Sequence, residues 1–368
     1  VTAFGEPVAD PAGPGLTRVQ VPVFCSQGGF TVVMVVDDAG ALAGVRFATA
    51  AVWTPPDYAD EKEFAEHEIT VRAQPGPVGG TLTLPRGPGP WPGVVLLSGG
   101  GIFDRDGTAG PNKPLKDLAW GLASRGVAVL RFDKVTHSRP ELAQTAGFTM
   151  TTEYVPHAVA AIRFLQRQLA VDSRRVFVVG HSMGGKVAPR VAAAEPSVAG
   201  LVLLAADAEP MHQAAVRVVR KLAALDPGVG TDALVETITR QAEVVAGPSL
   251  SQSTPTEDLL FGFPASYWLD LRGYDPVAAA AVLDLPMLLL QGGRDYQVTI
   301  EDDLARWQTG LAGRPDVTVR VHEAADHLFF PGAGPSSPSD YEHPHHVDPA
   351  VVGDIATWVT ERESARNP

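Results

Sequence analysis

The sequence lacks the marks of several protein classes. Cys25 is the only cysteine among 368 residues, which excludes an intrachain disulfide and a cysteine-built metal cluster. No apolar run approaches the roughly 20 residues of a membrane-spanning helix. Basic residues are outnumbered, giving a formal net charge of -13, so nucleic acid and an anionic membrane surface are disfavoured as partners. The opening stretch "VTAFGEPVADPAGPGL" has neither the basic start nor the apolar core of a signal peptide. The expected location is therefore cytoplasmic, or secreted if a leader has been removed. "GGTLTLPRGPG" is rich in glycine but no helix follows it, so it is not a phosphate- or dinucleotide-binding loop. No metal and no organic cofactor is expected, and no internal repeat is visible.

What is present fits a folded α/β protein. Hydrophobic residues make up 45% and charged residues 19%, a composition able to bury a sizeable core. The length suggests one large domain with a minor one or an insertion. "TRVQVPVF", "FTVVMVV" and "LAGVRFATA" read as three strands, the last two joined by the hairpin turn "DDAG". Three strands without a helix are marginal alone. Residues 1–66 are therefore expected to form a small β-rich segment that packs on the main domain or on a second copy in a homodimer, with Cys25 buried in a strand. After "EITVRA" and "GGTLTLP", strands and helices alternate: "GVVLLSGGG", "PLKDLAWGLASRG", "VAVLRFD", "TTEYVPHAVAAIRFLQRQL", "RVFVVG", "MGGKVAPRVAAAE" and "GLVLLAA". That rhythm predicts a mostly parallel, doubly wound sheet over residues 67–368. It breaks after Asp207, where residues of about 208–283 read as a helical insertion, and resumes at "PMLLLQG" and "VTVRVH".

Within this rhythm "GHSMG" lies between a strand and a helix. Gly-x-Ser-x-Gly in that setting is a nucleophile elbow, a turn so sharp that the serine stands clear of the sheet. Ser182 is thus the candidate nucleophile. A hydroxyl needs a base to take its proton, and here an acid and then a base should follow, each beyond a later strand. "LLLQGGRDYQV" supplies Asp295 and "VRVHEAADHLF" supplies His327. Asp207, after "GLVLLAA", is a rival for the acid, although its expected role is to cap a helix of the insertion. Asp326 adjoins His327, but neighbouring side chains point apart. The oxyanion of an acyl-transfer intermediate needs backbone donors. The amide after the nucleophile, on Met183, is one; Gly100, or else Gly101, in "SGGGIFDRDG" is the other. Ile102, Phe261, Phe263, Tyr267 and Trp268 are candidates for an apolar substrate pocket, with packing of the insertion as the alternative. His137 and His181 flank the expected site and are read as structural. His343, His345 and His346 match no ligand spacing and are read as a polar loop rather than a metal site.

Taken together, these residues resemble the α/β-hydrolase superfamily from about residue 69 to the C-terminus. Within it, "LSGGGIFDRDG", "RFDK", "GHSMGG", "YDP" and "DHLF" resemble bacterial carboxylesterases whose oxyanion loop ends in Asp-Arg-Asp-Gly. Dienelactone hydrolases and acyl-CoA thioesterases are more distant relatives. The resemblance implies the α/β-hydrolase fold with a helical cap, and Ser182, Asp295 and His327 as nucleophile, acid and base. It also implies that Asp104, Arg105 and Asp106 brace the oxyanion loop by ion pairs. This chain departs from the pattern in its three consecutive loop glycines and in "VTHSRPE" after "RFDK". The expected function is hydrolysis of a small-molecule carboxylic ester or thioester through an acyl-enzyme. Acyl transfer or cyclisation in natural-product metabolism, peptide hydrolysis, and non-catalytic binding on the same scaffold are the alternatives.

Overall fold

A computed structural model describes residues 1–5, 7–13, 16–25, 28–49, 53–228 and 230–362. Contacts divide the chain into two units, one of residues 1–54, 109–112 and 338–345, the other of residues 55–108, 113–337 and 346–368.

The first unit carries an antiparallel sheet of five strands, β1 (Ala3–Phe4), β2 (Val8–Gly13), β3 (Leu16–Cys25), β4 (Gly28–Asp37) and β5 (Leu42–Thr49). The order is β1-β3-β4-β5, with β2 also on β3. The three strands legible in the sequence are β3, β4 and β5. The other two are too short or too rich in proline and glycine to announce themselves. Asp37 closes the β4–β5 hairpin, its Oδ1 accepting from the Ala39 and Ala41 amides. Cys25 ends β3 and is half-buried, not buried as expected.

In the second unit an eight-stranded sheet runs β13-β12-β11-β10-β8-β9-β7-β6. Its strands are β6 (Phe64–Val71), β7 (Val78–Pro85), β8 (Trp91–Leu97), β9 (Ala128–Phe132), β10 (Val171–His181), β11 (Leu201–Leu204), β12 (Met287–Gly292) and β13 (Val317–His322). β6–β7 and β7–β9 are antiparallel, and every other pairing is parallel. This is the α/β-hydrolase arrangement. The unbroken apolar runs of β8, β11 and β12 suit strands covered on both faces, and Val94, Val95, Val202 and Leu288 have no exposure at all.

Helices α1 (Pro114–Ala123), α2 (Val135–Ser138), α3 (Met150–Gln166), α4 (Met183–Ala194), α9 (Ala305–Gly310) and α10 (Pro349–Glu361) belong to the α/β alternation. α1 packs on α10, and α3 on α4. α3 starts where Thr149 accepts from the Thr152 amide in a capping box, an arrangement that satisfies otherwise unpaired donors. Between β11 and β12 the chain forms α5 (Met211–Leu225), α6 (Thr231–Ala246), α7 (Ala265–Arg272) and α8 (Pro276–Ala281). α7 packs on α3 and α6, and α8 on α4 and α9. The ends of β8, β10, β11, β12 and β13 deliver the loop at 98–106, Ser182, Asp207, Asp295 and His327 to one edge of the sheet. In open α/β sheets ligands bind at that carboxyl edge.

Candidate active site

Ser182 lies between β10 and α4 with φ 54° and ψ -121°. A non-glycine residue at positive φ is uncommon and strained. The surroundings hold it there: its amide donates to Leu204 O at 2.8 Å, and the turn is tight enough that a Cβ on Gly180 would lie 2.7 Å from Gly185 N. A Cβ on Gly184 would lie 2.7 Å from Ser98 O. Both glycines of the motif are therefore required by close backbone approach. The Ser182 hydroxyl donates to Asp207 Oδ1 at 3.3 Å. Asp207 was expected as a helix cap, but α5 begins at Met211, with Pro210 at its cap position. Burial pushes the Asp207 carboxyl up; Lys186 opposes this and Asp303 adds to it.

Asp295 and His327 meet as the chain order suggested. His327 Nδ1 lies 2.7 Å from Asp295 Oδ2, and both side chains are buried. The other carboxylate oxygen of Asp295 accepts from the amides of Gln297 and Val298 at 2.8 and 3.0 Å, which holds the carboxylate in place for the imidazole. Burial opposes a charged His327, but Asp295, and behind it Asp207 and Asp326, outweigh burial and raise its pKa. Asp326 is taken by its own turn, accepting from the Leu328 and Phe330 amides at 2.9 and 3.0 Å; burial pushes its carboxyl up to about 6. The ring of His181, next to Ser182, lies 4.8 Å from that of His327, and its Nε2 is 2.8 Å from His327 O. Burial, reinforced by His327, pushes His181 down to about 3, so it is neutral at ordinary pH and ties the Ser182 corner to the His327 turn. The structure thus brings His327 to Asp295 and anchors it on the residue beside Ser182, while the serine hydroxyl itself points to Asp207.

The loop after β8 lies over this corner. A Cβ on Gly99 would be 3.3 Å from Ser182 Cβ, and one on Gly100 would be 3.7 Å from Met183 Cβ. The Gly100 and Met183 amides find no protein acceptor among the described residues. Further along the loop Arg105 holds Asp133 through Nε at 3.0 Å and Nη2 at 2.9 Å, and it also pairs with Glu68. Asp106 pairs with Lys113 at 2.8 Å and Arg131 at 2.9 Å. Burial disfavours the Asp106 charge, but Arg131 and Lys113 outweigh it and hold its pKa below the usual range. Asp104, expected in an ion pair, instead accepts from the Thr108 amide and hydroxyl at 2.9 and 2.6 Å and so closes its own turn.

The residues expected to line a substrate pocket separate into different environments. Ile102 and Phe261 are exposed, at 55% and 54%. Tyr267 is buried between Phe263, stacked at 4.2 Å, and Phe148, at 5.8 Å, and its hydroxyl donates to Glu153. Trp268 lines a cavity of about 690 Å³ together with Lys186, Met211, Tyr274 and Val277. Neither Ser182 nor His327 lines that cavity. Of the C-terminal histidines, His345 donates its amide to Asn112 and His343 offers its carbonyl to the same side chain. His346 lies 3.2 Å from both oxygens of Asp117. Among the described residues no group of His, Cys, Asp and Glu is arranged to hold a metal, and no helix is long and apolar enough to cross a membrane.

Sequence reasoning did not find the Asp207 contact, nor the cluster of Lys134, Glu153 and Tyr154 beneath the loop. The charged residues of "RFDK", which spans the end of the apolar strand β9 and the two residues after it, were the available signal for the second.

A family model described as "Serine aminopeptidase, S33" matches residues 107–331, a span that includes Ser182, Asp207, Asp295 and His327. The chain is 37% identical over 338 residues to the esterase EstD of Thermotoga maritima, covering 91% of this chain and 77% of that protein. It is 29% identical over 137 residues to a 2,6-dihydropseudooxynicotine hydrolase of Paenarthrobacter nicotinovorans, covering 37% of this chain and 33% of that one. Among solved structures, a hyperthermophilic esterase of the archaeon Pyrobaculum calidifontis superposes with a TM-score of 0.50 at 18% identity, over 80% of this chain and 85% of that one. That last likeness is one of fold.

Proposed function

Because the chain belongs to the α/β-hydrolase superfamily, in the family described as serine aminopeptidase S33, we propose that it is a serine esterase acting on a carboxylic ester or thioester through an acyl-enzyme on Ser182. The observation that carries this reading is the His327–Asp295 hydrogen bond anchored beside a serine held at positive φ.

In the resting arrangement the Ser182 hydroxyl rests on Asp207. Substrate entry turns Oγ toward His327, a rotation about one side-chain bond between staggered positions. Neutral His327 takes the proton as Oγ bonds to the acyl carbon. Asp295 fixes the imidazole so that Nδ1 carries its hydrogen toward the carboxylate, and it stabilises the imidazolium that forms. The carbonyl electrons move onto oxygen, which the Met183 and Gly100 amides receive. The tetrahedral centre then collapses, the alkoxide or thiolate leaves with the proton from His327, and water repeats the sequence to release the acid.

The finer assignment is to the carboxylesterases with an Asp-Arg-Asp-Gly oxyanion loop. The bracing of Arg105 and Asp106 supports it, as does the likeness to EstD. The cap comprises residues of about 208–283, and the small β segment at 1–66 is the expected dimer surface.

The family description names a peptidase, so ester and amide must be compared on one acyl group. A p-nitrophenyl ester and the matching p-nitroanilide are the pair to use. The expected result is turnover of the ester with kcat/KM at least about 10³-fold above the anilide. Comparable values for the two would replace the esterase reading with a peptidase one.

A further inference from the structure

Each charged residue of "RFDK" closes on the loop after β8. Arg131 holds Asp106, Asp133 holds Arg105, and Lys134 Nζ donates to Gly99 O at 3.1 Å. The Tyr154 hydroxyl, from α3, donates to the same carbonyl at 2.7 Å. The Lys134 ammonium has three hydrogens and three acceptors: Gly99 O, Tyr154 Oη at 2.9 Å and Glu153 Oε1 at 2.9 Å. Glu153 is completed by Thr136 and by Tyr267 of the cap, both at 3.0 Å. All five side chains are at most 4% exposed.

A buried lysine–glutamate pair is often no better for stability than apolar residues of similar volume, because desolvation offsets the attraction. Packing alone therefore does not account for this one. What the pair does is fix one peptide plane. The 99–100 peptide is trans, so its carbonyl and its N–H point in opposite directions. With Gly99 O drawn inward by two donors, the Gly100 N–H faces outward, beside Met183. Flanked by glycines, that plane meets no side-chain barrier to flipping, and a flip would aim a carbonyl oxygen at the developing oxyanion.

We propose that Lys134 and Tyr154 are positioning residues that lock the Gly99–Gly100 peptide so that the Gly100 amide is the second oxyanion donor. The inference rests on the serine-esterase reading above. It selects Gly100 over Gly101 and explains why a lysine is buried just beyond β9.

Two variants test it. Tyr154→Phe removes one of the two donors. Lys134→Met combined with Glu153→Gln removes both charges together, so no buried ion is left unpaired. Kinetics on a p-nitrophenyl ester are normalised to active sites by the p-nitrophenolate burst. The expected losses in kcat are about tenfold for Tyr154→Phe, which leaves one of the two donors in place, and about 100-fold for the double variant, the lower end of the range for a lost oxyanion donor, with KM changed less than about twofold. A trifluoromethyl ketone, which forms a tetrahedral oxyanion on the serine, should lose affinity by the same factors. Unchanged kcat per active site, or a fall in kcat with unchanged ketone affinity, overturns the inference. Ser182→Ala in the same assay separates the two levels. If it is inactive while the positioning variants behave as wild type, only the inference fails; if it turns over normally, the esterase reading fails first.

Discussion

Replacing Ser182 with alanine is expected to lower kcat on an activated ester by about 10⁵-fold or more, with the fold intact. The alcohol oxygen is the only atom removed, and no buried group depends on it apart from Asp207, which it meets at a long 3.3 Å. Alanine tolerates φ 54° no worse than serine does, so the strain at the corner is unchanged and the thermal midpoint should stay near that of the wild type. Some acceleration over water should survive, because the Met183 and Gly100 amides still receive an oxyanion; triad-deficient enzymes retain roughly 10³- to 10⁴-fold from such contributions. Steady-state kinetics together with a thermal scan check both halves. A variant with near-wild-type kcat would mean that the chemistry lies elsewhere.

The second large effect separates two carboxylates. Asp295→Asn is expected to reduce kcat/KM by about 10⁴-fold, because an amide in that place favours the wrong imidazole tautomer and leaves the imidazolium unsupported. Asp207→Asn should leave kcat/KM at its plateau within about tenfold, since the hydrogen bond it accepts is made by the resting serine. The pH profile distinguishes the two carboxylates further. His327 must be neutral to take the proton, and its pKa is raised, with burial outweighed by Asp295, Asp207 and Asp326. The activity of the wild type should therefore rise with pH through a midpoint above the ordinary imidazole value of about 6.5. Asp207→Asn removes one of the raising charges, so its midpoint moves to lower pH. If Asp207→Asn were the crippled variant and Asp295→Asn the mild one, the acid would have been misassigned.

Much of this site could be read from the sequence because the relevant physics is local. A nucleophile elbow needs small residues on both sides of the serine within five positions, and β8, β10, β11 and β12 announce themselves as apolar runs. Once those strands are placed in a parallel sheet, Asp295 and His327 fall at strand ends without further information. The misreadings have a different origin. Asp207 looked like a helix cap because α5 could not be placed to the residue, and the proline at 210 moved its start to Met211. Asp104 looked like an ion-pair partner, yet a threonine four residues on satisfied it. Tyr267 was open between lining a pocket and packing the insertion, and it packs: its hydroxyl is taken by Glu153, 114 positions away in sequence. Lys134, Tyr154 and Gly99 meet across 20 to 55 positions. Contacts at such separations follow from tertiary packing, which no window of sequence displays.

The account depends on His327 activating Ser182, although the resting hydroxyl faces Asp207. The most direct measurement is mass spectrometry after brief exposure to a fluorophosphonate, on the wild type and on His327→Ala. The prediction is a single adduct on the peptide carrying Ser182 in the wild type and none above background in His327→Ala over the same time. Labelling of Ser182 at equal rates in both proteins, or an adduct on a different residue, would contradict it.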